Sequence, residues 1–458
     1  MQGKFSAAAA GLVAAVVLSG TLAGCSSDDG GDDGRVTITV QGMPTKSDPA
    51  GRKAFLNQIA QFERENPKIK VVGSDAQWDP QTFAAKLAGG SADTVIRVPL
   101  TEPQGLIARR QVRDITDDVK TWPQYSQYNQ KLQAPNMDAA SRIYGLTEPE
   151  TAYAMGLVYN RALFTKAGLD PDQPPTTWEG VRSAAKAIHD KTDAIGYAET
   201  TTNNTGGWHL TSYTYSRGGT MEREQGGKMV PAFTEQPTRD ALQLLHDMRF
   251  VDDSMGSNQL QTQADVQRRF AAGQVGMYID GPGAYVPIVQ KYGGSKEDLG
   301  VASLPQDGGN ATQLGATVAM VSAKSDKART AAAVKWILFE YIKPFYDPQA
   351  ARARAEQSSA DPEKLVGAPA VAAFPEEVEK QVDAAIKPYI NIPVQNFEPY
   401  RTGSAGLRLL PEPPVAAQKV YAALDPVVQA VLTKQDADIG GLLKKAADQV
   451  SVELERAQ

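Results

Sequence analysis

Apolar and polar positions alternate in three distinct rhythms along the first hundred residues. Ala7 to Ala23 is a nearly unbroken run of apolar or small residues behind Lys4, and it closes on Leu22-Ala23-Gly24-Cys25. That run is short for a membrane span and has the wrong flanks for one, so it reads as an export signal. Residues 26–34 (SSDDGGDDG) have nothing to bury and read as a flexible tether. Arg35 to Val40 then alternates with β-branched residues, which predicts a first strand. Apolar positions 55, 59 and 62 keep a helical period over 54–65, and Asn66-Pro67 ends it. Strands are expected again at 69–72 and 92–98, with a helix over 81–87 between them. Strand, helix and strand with tight joints predict an α/β fold.

The alternation continues further along. Leu157 to Tyr159 reads as a core strand, and Arg161 to Ala167 as a short helix closed by Gly168. Thr176 and Glu179 have capping-box spacing, so Trp178 is expected to pack a helix start rather than touch a ligand. A helix over 265–271 precedes a buried strand over 275–279, which ends in the turn Asp280-Gly281-Pro282-Gly283. Helical periodicity returns over 415–432 and 439–454.

A chain of 458 residues exceeds one ordinary core and predicts two lobes. Its composition is that of a globular protein, and a formal charge of -6 argues against a nucleic-acid partner. The single cysteine, Cys25, excludes an intrachain disulfide framework. Taken alone it could be a small buried hydrophobe, or sit by chance in an ordinary cleaved signal.

Leu22-Ala23-Gly24-Cys25 resembles a bacterial lipobox. The resemblance implies cleavage before Cys25 and acylation of that residue, and several acyl chains suffice for a stable membrane anchor. A second resemblance runs from about Val36 to Leu454. Tyr144-Gly145-Leu146, Leu157 to Phe164, Ala167-Gly168-Leu169 and Pro175-Thr176-Thr177-Trp178 resemble the sugar-binding, maltose-binding-protein-like class of bacterial extracellular solute-binding lipoproteins. So do Arg269 to Pro282 and Leu314 to Val321. These proteins serve ABC importers. The resemblance implies a two-lobed periplasmic-binding-protein-like fold with discontinuous lobes and a hinge, no catalysis and no cofactor. It also implies a sugar or oligosaccharide ligand, permease subunits as partners, an extracytoplasmic membrane location and a monomer. The expected divisions are a signal peptide (1–24), a tether (25–34), parts of lobe one (35–147 and 305–345), and parts of lobe two (148–304 and 346–458).

A sugar offers hydroxyls at its edge and C–H patches on its faces, so its site needs planar hydrogen-bonding groups and aromatic rings. Ligands of open α/β sheets lie beyond strand carboxyl ends. Trp78 follows a strand there, as a ring platform or as packing, and Asp79 beside it is a hydroxyl acceptor or a turn residue. Glu102 follows another strand end, and Glu150 and Tyr153 lie near the first lobe crossing. The stretch 203–219 mixes glycines, amides, hydroxyls and rings; it supplies Trp208, the foremost aromatic candidate, and His209, which could equally be a satisfied histidine. Asp280 and Tyr285 flank the Gly-Pro turn, where Gly283 replaces the aromatic residue usual in the family. Arg401 in a polar turn completes the set.

Two other classes remain open at this stage. An exported glycan hydrolase needs two carboxylates about 5–9.5 Å apart, and sequence spacing selects no such pair. There is no Gly-x-Ser-x-Gly, no His-Glu-x-x-His and no phosphate loop, and His189, His209 and His246 lack close metal spacing. A non-catalytic lipoprotein that binds a protein partner is the third class.

Overall fold

Short strands of branched residues separate longer amphipathic helices along the chain, and the strands gather into three sheets. The computed structural model describes residues 34–79, 82–359 and 364–457. The expected signal and tether, Cys25 included, lie outside the described residues, apart from Gly34. Residues from Val36 onward form one unit.

The first sheet has the order β2-β1-β3-β13-β4. It is built from β1 (Val36–Gln41), β2 (Ile69–Ser74), β3 (Val95–Pro99), β4 (Gly145–Thr147) and β13 (Thr317–Val321). β1 runs parallel to β2 and β3, whereas β13 runs antiparallel to β3 and β4. The period-2 pattern of β1 turns Ile38 and Val40 into a core, where the helix Pro49–Glu65 adds Phe55, Ile59 and Phe62. Asp48 caps that helix by accepting from the amide of Gly51 at 2.7 Å.

The second sheet, of order β11-β6-β10-β7, comprises β6 (Gly156–Asn160), β7 (Ile195–Tyr197), β10 (Val275–Asp280) and β11 (Leu299–Ser303). A third, of order β14-β12-β5, joins β14 (Arg408–Leu410), β12 (Ala311–Gly315) and β5 (Tyr153–Ala154). A hairpin of β8 (Glu222–Gln225) and β9 (Lys228–Pro231) stands apart. Helices Ala417–Thr433 and Ile439–Ala457 pack Val420, Leu424, Leu443 and Val450 into the core beside the second and third sheets.

Two stretches pass side by side between these cores. Residues 145–154 run one way and 311–321 the other, each split by a short break into a strand of the first sheet and a strand of the third. The break at Ala316 divides the family-like stretch Leu314 to Val321 into the end of β12 and β13. Across the breaks, the Glu148 amide donates to the Thr317 carbonyl at 2.9 Å, and the Thr317 amide donates to Thr151 Oγ1 at 2.8 Å. Beyond Ile342 the chain touches both cores: Tyr346 packs on the first, Leu365 and Ala368 on the other, Ala373 and Phe374 on the first again, and Ile392, Phe397 and Tyr400 on the other.

Trp178 is buried as expected, its indole N–H donating to Ser216 Oγ at 2.7 Å. The cap of its helix is Thr177, not Thr176: Thr177 Oγ1 accepts from the Gly180 amide at 3.1 Å. The stretch 203–219, which mixes glycines with amides, hydroxyls and rings, contains the helix Thr205–Tyr215. Its glycines are there for contact: a Cβ at Gly207 would lie 2.5 Å from the backbone of Tyr421 in the neighbouring helix.

Candidate functional site

A cleft of about 660 Å³ opens where the ends of β1 and β3 face the helix Thr205–Tyr215. Its walls come from both sides of the paired breaks. Gln41, Trp78 and Arg97 stand on the first sheet's side; Tyr153, Asn204, Trp208, Gln263, Glu412, Gln418 and Tyr421 stand on the other.

Trp78 packs partly against the first core, and its indole nitrogen has no hydrogen-bond partner. Tyr153 is seated between two glycines, because a Cβ at Gly281 or Gly315 would meet its ring at 2.7 or 2.3 Å. Burial raises its hydroxyl pKa well above the usual value, with Glu412 and Asp280 adding to the effect. Trp208 projects from the first turns of its helix, just after Asn203 and Asn204, which hold φ of 60° and 70°. Left-handed backbone at two consecutive non-glycine residues is rare and is held here from outside. Asp425 accepts from the Asn204 amide at 2.7 Å and from the Gly207 amide at 3.0 Å, and the Asn204 side chain donates to Gln418 Oε1 at 3.0 Å. Burial raises the Asp425 pKa, while these amides pull it down.

Two charged side chains line the cleft. Arg97 donates through Nε and a terminal nitrogen to both oxygens of Glu148, at 2.7 and 2.5 Å, and lies over the Tyr341 ring with its carbon 5.1 Å from the centroid. Glu412 accepts from Gln313 Nε2 at 3.1 Å and from the side chains of Trp208 and Tyr421. Burial nevertheless pushes its pKa up to about 7.

Of the residues singled out from sequence, Trp78, Tyr153 and Trp208 share this cleft. The others stand elsewhere. Asp79 closes a turn by accepting from the amide and hydroxyl of Thr82, each at 2.9 Å. Glu102 sits beside the cleft against Thr101, and burial raises its pKa. Glu150 is exposed and pairs with Arg354 at 3.2 Å. His209 turns inward, with Nδ1 2.5 Å from Glu199 Oε1 and Tyr213 also donating to that carboxylate. Its ring is buried because the helix that presents Trp208 to the cleft sends the next residue into the core. Asp280 lies behind the wall, accepting from Gln263 Nε2 at 3.0 Å and Gln267 Nε2 at 3.2 Å, so it orients a lining residue. Tyr285 is buried 6.0 Å from Phe397, ring centre to ring centre. Arg401 is solvent-exposed and pairs with Glu398 at 2.9 Å.

Sequence reasoning did not single out Gln41, Arg97, Gln263, Glu412, Gln418 or Tyr421. Gln41 was within reach, since it directly follows the strand expected over Arg35 to Val40 and closes β1. The other five carry no local signal, because amides and charges at element ends are usually solvated. Among the described residues no group of three metal-ligating side chains converges, and no helix is long and apolar enough to cross a membrane.

The sequence pattern of the family described as bacterial extracellular solute-binding protein matches residues 46–340. Among curated proteins, the sn-glycerol-3-phosphate-binding periplasmic protein UgpB of Escherichia coli (strain K12) is 26% identical over 151 residues, 31% of this chain and 34% of that protein. The match therefore spans about a third of that relative's length. Among solved structures, UgpB of Mycobacterium tuberculosis in complex with glycerophosphocholine aligns with a TM-score of 0.70 at 17% identity, over 92% of this chain and 99% of that one. An ABC substrate-binding protein of Listeria monocytogenes in complex with cycloalternan aligns at 0.68 and 19%, with the same coverage. A cyclic α-maltosyl-1,6-maltose binding protein of Arthrobacter globiformis aligns at 0.67 and 21%, over 92% and 100%. At these identities the structural likeness shows a shared two-lobed α/β fold. With the family match covering well over half of its length, the chain belongs to the bacterial extracellular solute-binding proteins.

Proposed function

We propose that this protein captures a sugar or oligosaccharide in the cleft and delivers it, unchanged, to an ABC importer. The observation that carries the reading is the meeting of Trp78 from one side with Tyr153 and Trp208 from the other, beside the amides of Gln41, Asn204, Gln263 and Gln418. Rings for C–H faces and planar amides for hydroxyl edges are the chemistry a saccharide requires. Structural neighbours bound to cycloalternan and maltose support it.

The paired breaks support a division into two lobes. One lobe holds residues 36–147 and 317–342, the other holds 153–315 and the chain from Ile392 onward, and the stretch between touches both cores. A ligand touching both lobes favours a closed form by its differential affinity for that form. Residues 1–24 act as the export signal, and acylated Cys25 holds the monomeric protein on the outer face of the cell membrane.

The bacterial relatives named for glycerol 3-phosphate raise a phosphorylated solute as a second reading. The charge of Arg97 is already compensated by its two-point pair with Glu148, which counts against it. Calorimetric titration of residues 26–458 against mono-, di- and oligosaccharides and glycerol 3-phosphate tests the proposal. Saturable heat from a saccharide is expected; heat from glycerol 3-phosphate alone would overturn it.

A further inference from the structure

The charges of the cleft are unequal in their partners. Arg97 is neutralised by a two-point pair with Glu148. Glu412 accepts neutral hydrogen bonds from Gln313, Trp208 and Tyr421, and among the ion pairs of the described residues it takes no part. A carboxylate withdrawn from water, with neutral donors and no counter-charge, costs free energy that a cation beside it would offset. The rings of Tyr153, Trp208 and Tyr421 share the cleft with it, and ring faces attract cations.

We infer that Glu412 selects, within the saccharide class proposed above and resting on that reading, for sugars that carry a positively charged amine. The ammonium group sits against the Glu412 carboxylate, while the sugar's hydroxyls take the amides of Gln263 and Gln418. An anionic sugar meets the same carboxylate and finds the Arg97 charge already neutralised by Glu148.

The pH dependence of binding separates the ligand classes by sign. The titratable groups facing Glu412 are the hydroxyls of Tyr153, Tyr215 and Tyr421 and the carboxyl of Glu102. The three tyrosines are raised above their ordinary values and stay neutral below pH 9, while Glu102 adds to the upward push on Glu412. With Glu412 near 7 in the empty cleft, an ammonium ligand requires the ionised carboxylate. Its affinity then rises about tenfold from pH 6 to pH 8. A neutral sugar shows no such rise, and an anionic one binds more weakly as pH increases.

The test is calorimetric titration at pH 6, 7 and 8 with maltitol, cellobiitol, their 1-amino-1-deoxy counterparts and a panel of neutral oligosaccharides. The aliphatic ammonium stays charged throughout, as lysine does with a pKa of about 10.4. We expect an aminated compound to bind at least tenfold tighter than its hydroxyl counterpart at pH 8, with the rise described, and Glu412→Gln to remove both effects. If neutral sugars bind as tightly as their amines and without a pH slope, the inference fails while the saccharide reading stands. If nothing in the panel binds, the saccharide reading fails and takes this inference with it. The slope in the unaltered protein decides the matter even if the Glu412→Gln variant does not fold.

Discussion

Arg97 and Glu148 face each other where the chain first leaves the first sheet, joined by two hydrogen bonds of 2.7 and 2.5 Å. Glu148 is almost fully buried, whereas the Arg97 side chain, which lines the cleft, keeps 29% of its exposure. The pair closes the first sheet's end of the site and leaves the cleft with no spare positive charge there. Arg97→Ala leaves a buried carboxylate unpaired and is expected to destabilise the protein by about 3 kcal/mol. A lowered urea midpoint with an unchanged slope would show it, and an unchanged midpoint would contradict it.

Trp208 and Trp78 line the cleft from its two sides. Replacing Trp208 with alanine should weaken saccharide binding by about 1–3 kcal/mol, roughly 5- to 150-fold, with little effect on thermal stability because the ring is only partly buried. Titration calorimetry measures the affinity and circular dichroism the melting. Equal affinity in the variant would remove Trp208 from the site.

Gly315 makes room for the Tyr153 ring, which a Cβ would meet at 2.3 Å. Because Gly315 ends the strand that runs toward the first sheet, Gly315→Ala should displace Tyr153 and cost about 1–3 kcal/mol in stability. Both the denaturation midpoint and saccharide affinity are expected to fall. Tyr153→Ala in the same background should relieve the stability loss without restoring binding.

Glu222 is a buried carboxyl away from the cleft, with Oε2 accepting from the Val415 amide at 3.3 Å and Oε1 without a partner. Burial pushes its pKa up to about 7 from 4.5. The folded form therefore binds its proton more tightly than the unfolded form. Stability falls as pH rises from about 4.5 to about 7 and is level above that, by on the order of 3 kcal/mol at most. Glu222→Gln should flatten this part of the stability profile and stabilise the protein at pH 8. Urea denaturation at pH 5 and pH 8 checks both, and an unchanged difference between them would refute the assignment.

Cys25 is the residue on which membrane attachment depends in the proposed function. Cys25→Ser should abolish labelling by a fatty-acid probe and release the protein from the membrane fraction. Continued labelling would refute acylation at that residue.

Much of the fold was legible because strands and helices announce themselves locally. Val36–Gln41 alternates, the helix Pro49–Glu65 repeats its apolar positions at three and four, and Gly273 ends the helix before β10. The site was legible only in part. Trp78, Tyr153 and Trp208 advertise themselves by residue type, and all three line the cleft. His209 and Asp280 were candidates by residue type as well, yet each is turned into the body of the protein by the face of its helix or strand.

Sequence alone determined the α/β class, the order of the elements and the kinship with solute-binding proteins, because those properties reside in periodicity and in contiguous motifs. Tertiary structure decided which polar groups face one another. Glu412 meets Gln313 across 99 residues of chain, and Arg97 meets Glu148 across 51. Whether a charge is solvated, paired or left without a counter-charge depends on what the folded chain brings beside it, and no local pattern records that.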